Sequence, residues 1–317
     1  MPESFQPKDT ALPLILFLVL FVIVAVLPPL AVFVGVLSPI PLIVLYLQRG
    51  SRTGLVLVGL VFVVLLVLMG PRQATIFFSE YAILAVVLAE TIRIRFPFDR
   101  CIFFSATASA VLSLFLIFIL VGGQDRPVSE FFQEQVEKHF RLSMETFGAL
   151  EGDSADKKAL EEVVENTSRM FASSYPSLVA IGSLVTAAVN YALVRFIWTR
   201  FYGPAVFATG SFSQWVLPEQ FVWLLIASGT TLFLGEGFIA TLGLNVFLIM
   251  AVIYFFQGLS ILVHFLEVKN VLKIFWAVLF FLIFIQPLLI GLVVGLGVFD
   301  IWADFRKLKA PLAEPPE

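Results

Sequence analysis

Gln257, Ser260 and His264 recur at helical spacing inside the apolar run 244–266. At about 100° per residue, Gln257 and His264 project almost in line, with Ser260 about 60° away. Tyr254 and Glu267 extend that edge in both directions. Most of the run is Val, Phe, Ile, Leu and Met, so contact with lipid does not account for the stripe. Polar groups within a bilayer are costly and face other helices or a wet cavity. The stripe is therefore read either as a polar seam between helices or as a ligand or proton site.

Two further residues invite the same question. Glu80 lies roughly 10 Å inside the apolar segment 74–92, at 1.5 Å per residue. A charge near the bilayer centre costs about 2.5–3.5 kcal/mol on insertion scales. Glu80 is thus a candidate to contact a ligand amine or carry a proton, or else it caps a water-filled crevice near the surface. Asn190, with Thr186 four residues earlier, occupies the middle of 174–198. It suits an interhelical hydrogen bond or a ligand contact. By contrast, Glu90 with Arg93 three residues on reads as an interfacial ion pair, and Arg195 as a side chain reaching back to the interface. Stripes of small residues permit close helix approach, within the chain or with a partner: Ala31 and Gly35, Ala106 and Ala110 beside Ser105, Ser109 and Ser113, and Gly291 and Gly295.

What positions these residues follows from composition. Of 317 residues, 60% are hydrophobic and only 14% charged, with a mean hydropathy of +0.99. Soluble domains are about 45–50% apolar and about 25% charged, so the chain is read as an all-α integral membrane protein. Segments of about 20 apolar residues cross the hydrocarbon. The candidates are 11–27, 30–47, 54–69, 74–92, 101–121, 174–198, 218–234, 244–266 and 271–299, giving a polytopic bundle of eight to nine spans. Pro28-Pro29 splits the first two, and the first is retained rather than cleaved. Arg49 and Arg52, then Arg93, Arg95 and Arg100, then Arg195 and Arg200, and finally Lys269 and Lys273 fall on alternate connections, which become cytoplasmic. The N-terminus is then cytoplasmic. The basic stretch Arg306-Lys307-Leu308-Lys309 is cytoplasmic too if Gln286-Pro287 bends the last segment or if one early segment does not cross.

The chain divides into an N-terminal membrane group (1–121), an insert (122–172), a C-terminal membrane group (173–300) and a partly disordered tail (301–317). The insert holds eleven acids against six bases, a net of −5, which places it outside. Phe132, Val136, Phe140, Met144 and Phe147 recur at helical spacing, as do Leu160, Val163, Val164, Thr167, Met170 and Phe171. With Gly152-Asp153 between them and Ser154 as N-cap, these form an amphipathic helical hairpin over the external mouth of the bundle.

Motifs for phosphate loops, zinc proteases, paired cysteines and serine nucleophiles are missing from the sequence. No enzymatic activity and no cofactor or metal is expected, and a net charge of −3 disfavours nucleic acid as a partner. The lone Cys101 either fills a small apolar position or, beside Arg93, Arg95 and Arg100, is a thiol of lowered pKa.

Several strings occur in order along nearly the whole chain: Ser38-Pro39-Ile40-Pro41-Leu42-Ile43-Val44-Leu45-Tyr46 followed by Arg49-Gly50; Tyr175-Pro176 with Asn190; Tyr254 with Gln257-Gly258-Leu259; and Gly297 with Asp300, Trp302 and Asp304-Phe305-Arg306-Lys307. Together they resemble the YybS-like family of uncharacterised bacterial multi-pass membrane proteins. That family is similar in fold to the S components of energy-coupling-factor transporters and to the rod-shape protein MreD. The resemblance implies a bacterial inner-membrane protein that binds a small-molecule ligand for a separate energising ATPase module, or an interaction protein of the envelope. Ala31 and Gly35 are then the nearest equivalent of the small-x-x-x-small surface by which S components meet their coupling subunit, with Gly in place of the usual second Ala. Glu80, Asn190 and Gln257 are expected to line the pocket, with the hairpin as a lid.

Overall fold

The computed structural model describes residues 35–122, 128–146 and 154–308, and every regular element among them is helical. The expected segment 11–27 and Ala31 lie outside the described residues. Contacts divide the chain into two compact units, Met1–Thr209 and Gly210–Glu317.

In the first unit, α1 (Pro39–Arg49) starts with Pro39 and Pro41, and Pro39 takes the first helical position, where a missing N–H leaves no bond unmade. Residues 35–37 are also helical, and a turn at Ser38 joins them to α1 within the short apolar helix Gly35–Arg49. Gly50, at φ +81°, turns the chain into α2 (Ser51–Met69). A Cβ on Gly54 would lie 2.2 Å from the Tyr46 ring, so glycine sets the close approach of α1 and α2. The next helix has three parts: α3 (Pro71–Phe77), a π-helical turn (Phe78–Ala82) and α4 (Ile83–Arg93). Then follow α5 (Phe98–Gly122), α6 (Val128–Thr146) and α7 (Ser154–Phe201). Ile43, Leu84, Leu88, Ile92, Ala187 and Val194 are the centre of the core. Val56, Val67 and Leu68 of α2 are exposed. An apolar outer face of this kind is what lipid rather than water covers.

Hydrogen bonds tie the C-terminal ends of three of these helices together. Tyr46 Oη donates to Glu90 Oε2 (2.9 Å), and Gln48 Nε2 donates to Tyr202 Oη (2.8 Å). The ends carrying Arg49, Arg93 and Arg200 therefore share one end of the unit. Glu90 also pairs with Arg93 at 2.7 Å, as the i,i+3 spacing predicts. Cys101 is buried and its thiol donates to the Phe96 carbonyl (3.4 Å).

The insert differs from expectation in two respects. Its second helix does not end before the following span: α7 is one helix of 48 residues, about 72 Å long. Ala172-Ser173-Ser174 contains no breaker, and Pro176 removes one N–H without ending the helix. The buried face of this part of α7 is also not the expected one. Val164, Ser168 and Ala172 are buried, whereas Val163, Met170 and Phe171 are exposed. Small side chains at i, i+4 and i+8 admit the neighbouring α6, whose Phe132 stacks on Tyr175 with centroids 4.6 Å apart. The side chains of Phe140, Met144, Phe147 and Leu160 lie outside the described residues.

The second unit holds α8 (Phe221–Leu234), α9 (Gly237–Val268), α10 (Lys273–Ile285) and α11 (Pro287–Ala303). A Cβ on Gly243 would come 2.7 Å from the Leu232 nitrogen, which fixes α8 tightly against α9. The segment 271–299 is not one straight span. Proline disfavours the helical conformation in its predecessor. Gln286 accordingly takes an extended conformation, and α10 and α11 meet at 106°.

Among the described residues, five helices are long and apolar enough to cross a membrane: Ser51–Met69, Ala74–Arg93, Phe98–Val121, Glu162–Phe201 and Gly237–Val268. A sixth span results if the bent pair counts as one. Gly35–Arg49 and Phe221–Leu234 are apolar but short, about 21–23 Å against a hydrocarbon core of about 30 Å.

Candidate functional site

The stripe on α9 resolves into a buried polar network of the second unit. Gln257 and Ser260 are both buried. Gln257 Oε1 accepts from the Leu217 N–H (3.1 Å), and Nε2 donates to Asp300 Oδ2 (2.9 Å). Asp300, near the end of α11, also accepts from Arg306 Nη2 (2.8 Å), and its Oδ1 accepts from the Phe305 N–H (3.1 Å). Arg306 Nη1 donates to the carbonyls of Ser213 (3.0 Å) and Trp215 (2.9 Å) and to Ser260 Oγ (2.6 Å). Ser260 in turn donates to the Trp215 carbonyl (3.0 Å). The Arg306 and Asp300 side chains are only 1% and 5% exposed. A left-handed residue, Asp304 (φ +41°), reverses the chain after α11 and brings Arg306 back to Asp300.

This network joins three stretches of chain: the turn at 213–217, the middle of α9, and 300–306. Both ends of the Gln257 carboxamide are engaged within it. His264 stands apart, half-buried, with its ring edge-to-face to Phe265. The partners Asp300 and Arg306 were visible in the sequence only as an acid at the end of an apolar run and a base six residues later.

Glu80 and Asn190 belong to the first unit. Glu80 is on the π turn Phe78–Ala82, an element enriched at functional sites. A π turn disturbs the regular carbonyl pairing of the helix, and here a neighbouring helix supplies a donor. Ser109 of α5 shares its hydroxyl between the carbonyls of Ser79 (3.1 Å) and Glu80 (3.0 Å). That assigns a task to one residue of the small stripe. Its neighbours Ala106 and Ala110 are buried. The Glu80 side chain is half-buried and, among the described residues, makes no hydrogen bond or ion pair.

Asn190 is fully buried. Its Nδ2 donates to the Val36 carbonyl (2.7 Å) and to the Thr186 carbonyl one turn back (2.7 Å). Its Oδ1 is buried with no donor among the described residues. On the adjacent Gly35, a Cβ would lie 2.8 Å from Tyr81 Oη. Tyr81 and Asn190 therefore both approach residues 35–36.

The remaining small residues separate clearly. A Cβ on Gly291 or Gly295 would meet open space. The close crossing of α9 and α11 falls instead at Gly258 and Gly297: a Cβ there would lie 2.0 Å from the Val293 carbonyl oxygen and 2.1 Å from that of Tyr254.

No curated protein and no solved structure matches the chain. The model of one family, described as "Predicted membrane protein (DUF2232)", matches residues 15–301. With its apolar outer faces and at least five helices able to span a bilayer, this membrane-embedded chain belongs to the DUF2232 family.

Proposed function

We propose that this DUF2232 protein is a solute-binding subunit of the bacterial inner membrane, YybS-like and similar in role to the S components of energy-coupling-factor transporters. It holds its ligand at Glu80 and draws energy from a separate ATPase. The observation that carries this reading is a carboxylate on a π turn inside an apolar span with no side-chain partner among the described residues. Such a group is a site for something that arrives from outside the chain. In this reading the two short apolar helices also cross, giving seven spans, 11–27 adds an eighth, and the bent pair enters and leaves on one side of the membrane. The shared arginine-bearing end of the first unit faces the cytoplasm, as does the tail, and the acidic insert is external.

A second reading, an MreD-like interaction protein of the envelope, is favoured by the closed Asp300–Arg306 network, which serves architecture and leaves Gln257 engaged. Affinity purification of the full chain in mild detergent distinguishes the two. A transport subunit should bring down an ATPase-containing module at near-stoichiometric yield. Recovery of cell-wall synthesis proteins in its place contradicts the transport reading.

A further inference from the structure

The geometry points to a small organic cation with N–H donors, a primary ammonium in the simplest case, as the class of solute that Glu80 takes. This rests on the solute-binding reading above and narrows it.

Two acceptors stand open in this part of the first unit, and the buried Ser113 hydroxyl, one turn from Ser109 on α5, can donate or accept. The Glu80 carboxylate makes no hydrogen bond or ion pair among the described residues, and Asn190 Oδ1 is buried without a donor. Asn190 cannot turn its amide to help, because Nδ2 is already committed to Val36 and Thr186. Tyr81 Oη, beside Gly35, can donate or accept. Charged residues on the elements packed against the π turn are confined to helix ends: Arg72 on α3, Arg49 on α1, Glu90 and Arg93 on α4, and Asp99 and Arg100 on α5. Arg72, the nearest in sequence, is eight residues from Glu80, about 12 Å along a helix. Among the described residues, this part of the first unit thus holds a carboxylate and an amide oxygen without a cation to match them.

Complementarity decides the class of ligand. A carboxylate or phosphate solute would add acceptors and like charge to a site that already has both. A neutral polyol would supply donors and leave the Glu80 charge uncompensated in an apolar span. An ammonium brings a positive charge and three donors together. The surroundings suit it as well. Phe77 and Tyr81 have ring centroids 6.2 Å apart, and Phe62 meets Phe78 edge-to-face at 5.6 Å. Aromatic faces attract a desolvated cation.

The test uses the full chain in nanodiscs, with n-butylammonium chloride and n-butanol as probes of matched size, each up to about 100 mM at constant ionic strength. Butylammonium should raise the unfolding midpoint with concentration and butanol should not. Glu80→Gln should demand at least about tenfold more butylammonium for the same rise. Glu80→Asp keeps the charge and should retain the response, which separates loss of the site from loss of the fold. Equal stabilisation by butanol, an unchanged response in Glu80→Gln, or no response of the wild-type chain overturns the inference. A natural solute that lacks a basic nitrogen, yet is lost in Glu80→Gln, would leave the solute-binding reading standing and remove the ammonium assignment.

Discussion

Asp300→Ala should destabilise the second unit by about 3–5 kcal/mol, the range for removing one member of a buried ion pair. The substitution strands the Arg306 guanidinium, whose side chain is 1% exposed, and frees the Phe305 N–H and Gln257 Nε2 from their acceptor. Arg306 would keep only the Ser213 and Trp215 carbonyls and Ser260, none of which carries a charge. Arg306→Ala should cost a comparable amount, because it leaves Asp300 charged and buried. The double variant Asp300→Leu with Arg306→Met should recover most of the loss, since replacing both partners with apolar groups removes the uncompensated charge. Thermal or denaturant unfolding of the four proteins, read by tryptophan fluorescence, compares them. Single variants within about 1 kcal/mol of wild type would show that the pair is solvated.

Gly297→Ala should cost about 3 kcal/mol, at the upper end for overpacking. Its new methyl would lie 2.1 Å from the Tyr254 carbonyl oxygen and 2.9 Å from the Gly258 nitrogen. Both are backbone atoms and cannot swing aside, so α9 and α11 must separate. Gly258→Ala meets the Val293 carbonyl in the same way. The double variant should therefore cost much less than the sum of the two, because the helices part only once. Gly291→Ala and Gly295→Ala are the controls. Their methyls enter open space, and alanine favours a helix interior by about 0.5–1 kcal/mol, so their midpoints should stay level or rise. Equal effects at Gly297 and Gly291 would contradict the crossing described here.

Residue types and spacing made the membrane class and most helices legible. Proline punctuation located the break at Gln286-Pro287, and the turns at Gly50 and Gly70 fall in the gaps between the apolar segments 30–47, 54–69 and 74–92. What remained hidden depends on tertiary neighbours. Periodicity grouped Gln257 with Ser260 correctly on one face, but it carries no information about Asp300, which reaches that face from α11, or Arg306, which returns to it through the left-handed turn at Asp304. The π turn at Glu80 was likewise invisible, because its supporting donor, Ser109, is on another helix. Spacing alone did not tell Gly291 and Gly295, which a Cβ would leave in open space, from Gly258 and Gly297, which admit none. In α7, apolar side chains suggested one buried face, whereas the small residues Ser168 and Ala172 determine where α6 approaches.

These differences shift the weight of the functional argument from the second unit to the first. Gln257 looked the more informative residue because it lies deep in an apolar run, but its hydrogen bonds are used within the fold. Among the described residues, Glu80 keeps a charge-bearing group open and Asn190 keeps a buried acceptor open. Native mass spectrometry of the protein purified from its host membrane, beside Glu80→Gln prepared identically, tests the central claim most directly. The account predicts a small-molecule mass increment on the wild-type chain that is absent from Glu80→Gln. Two unliganded proteins, or the same increment on both, would contradict it.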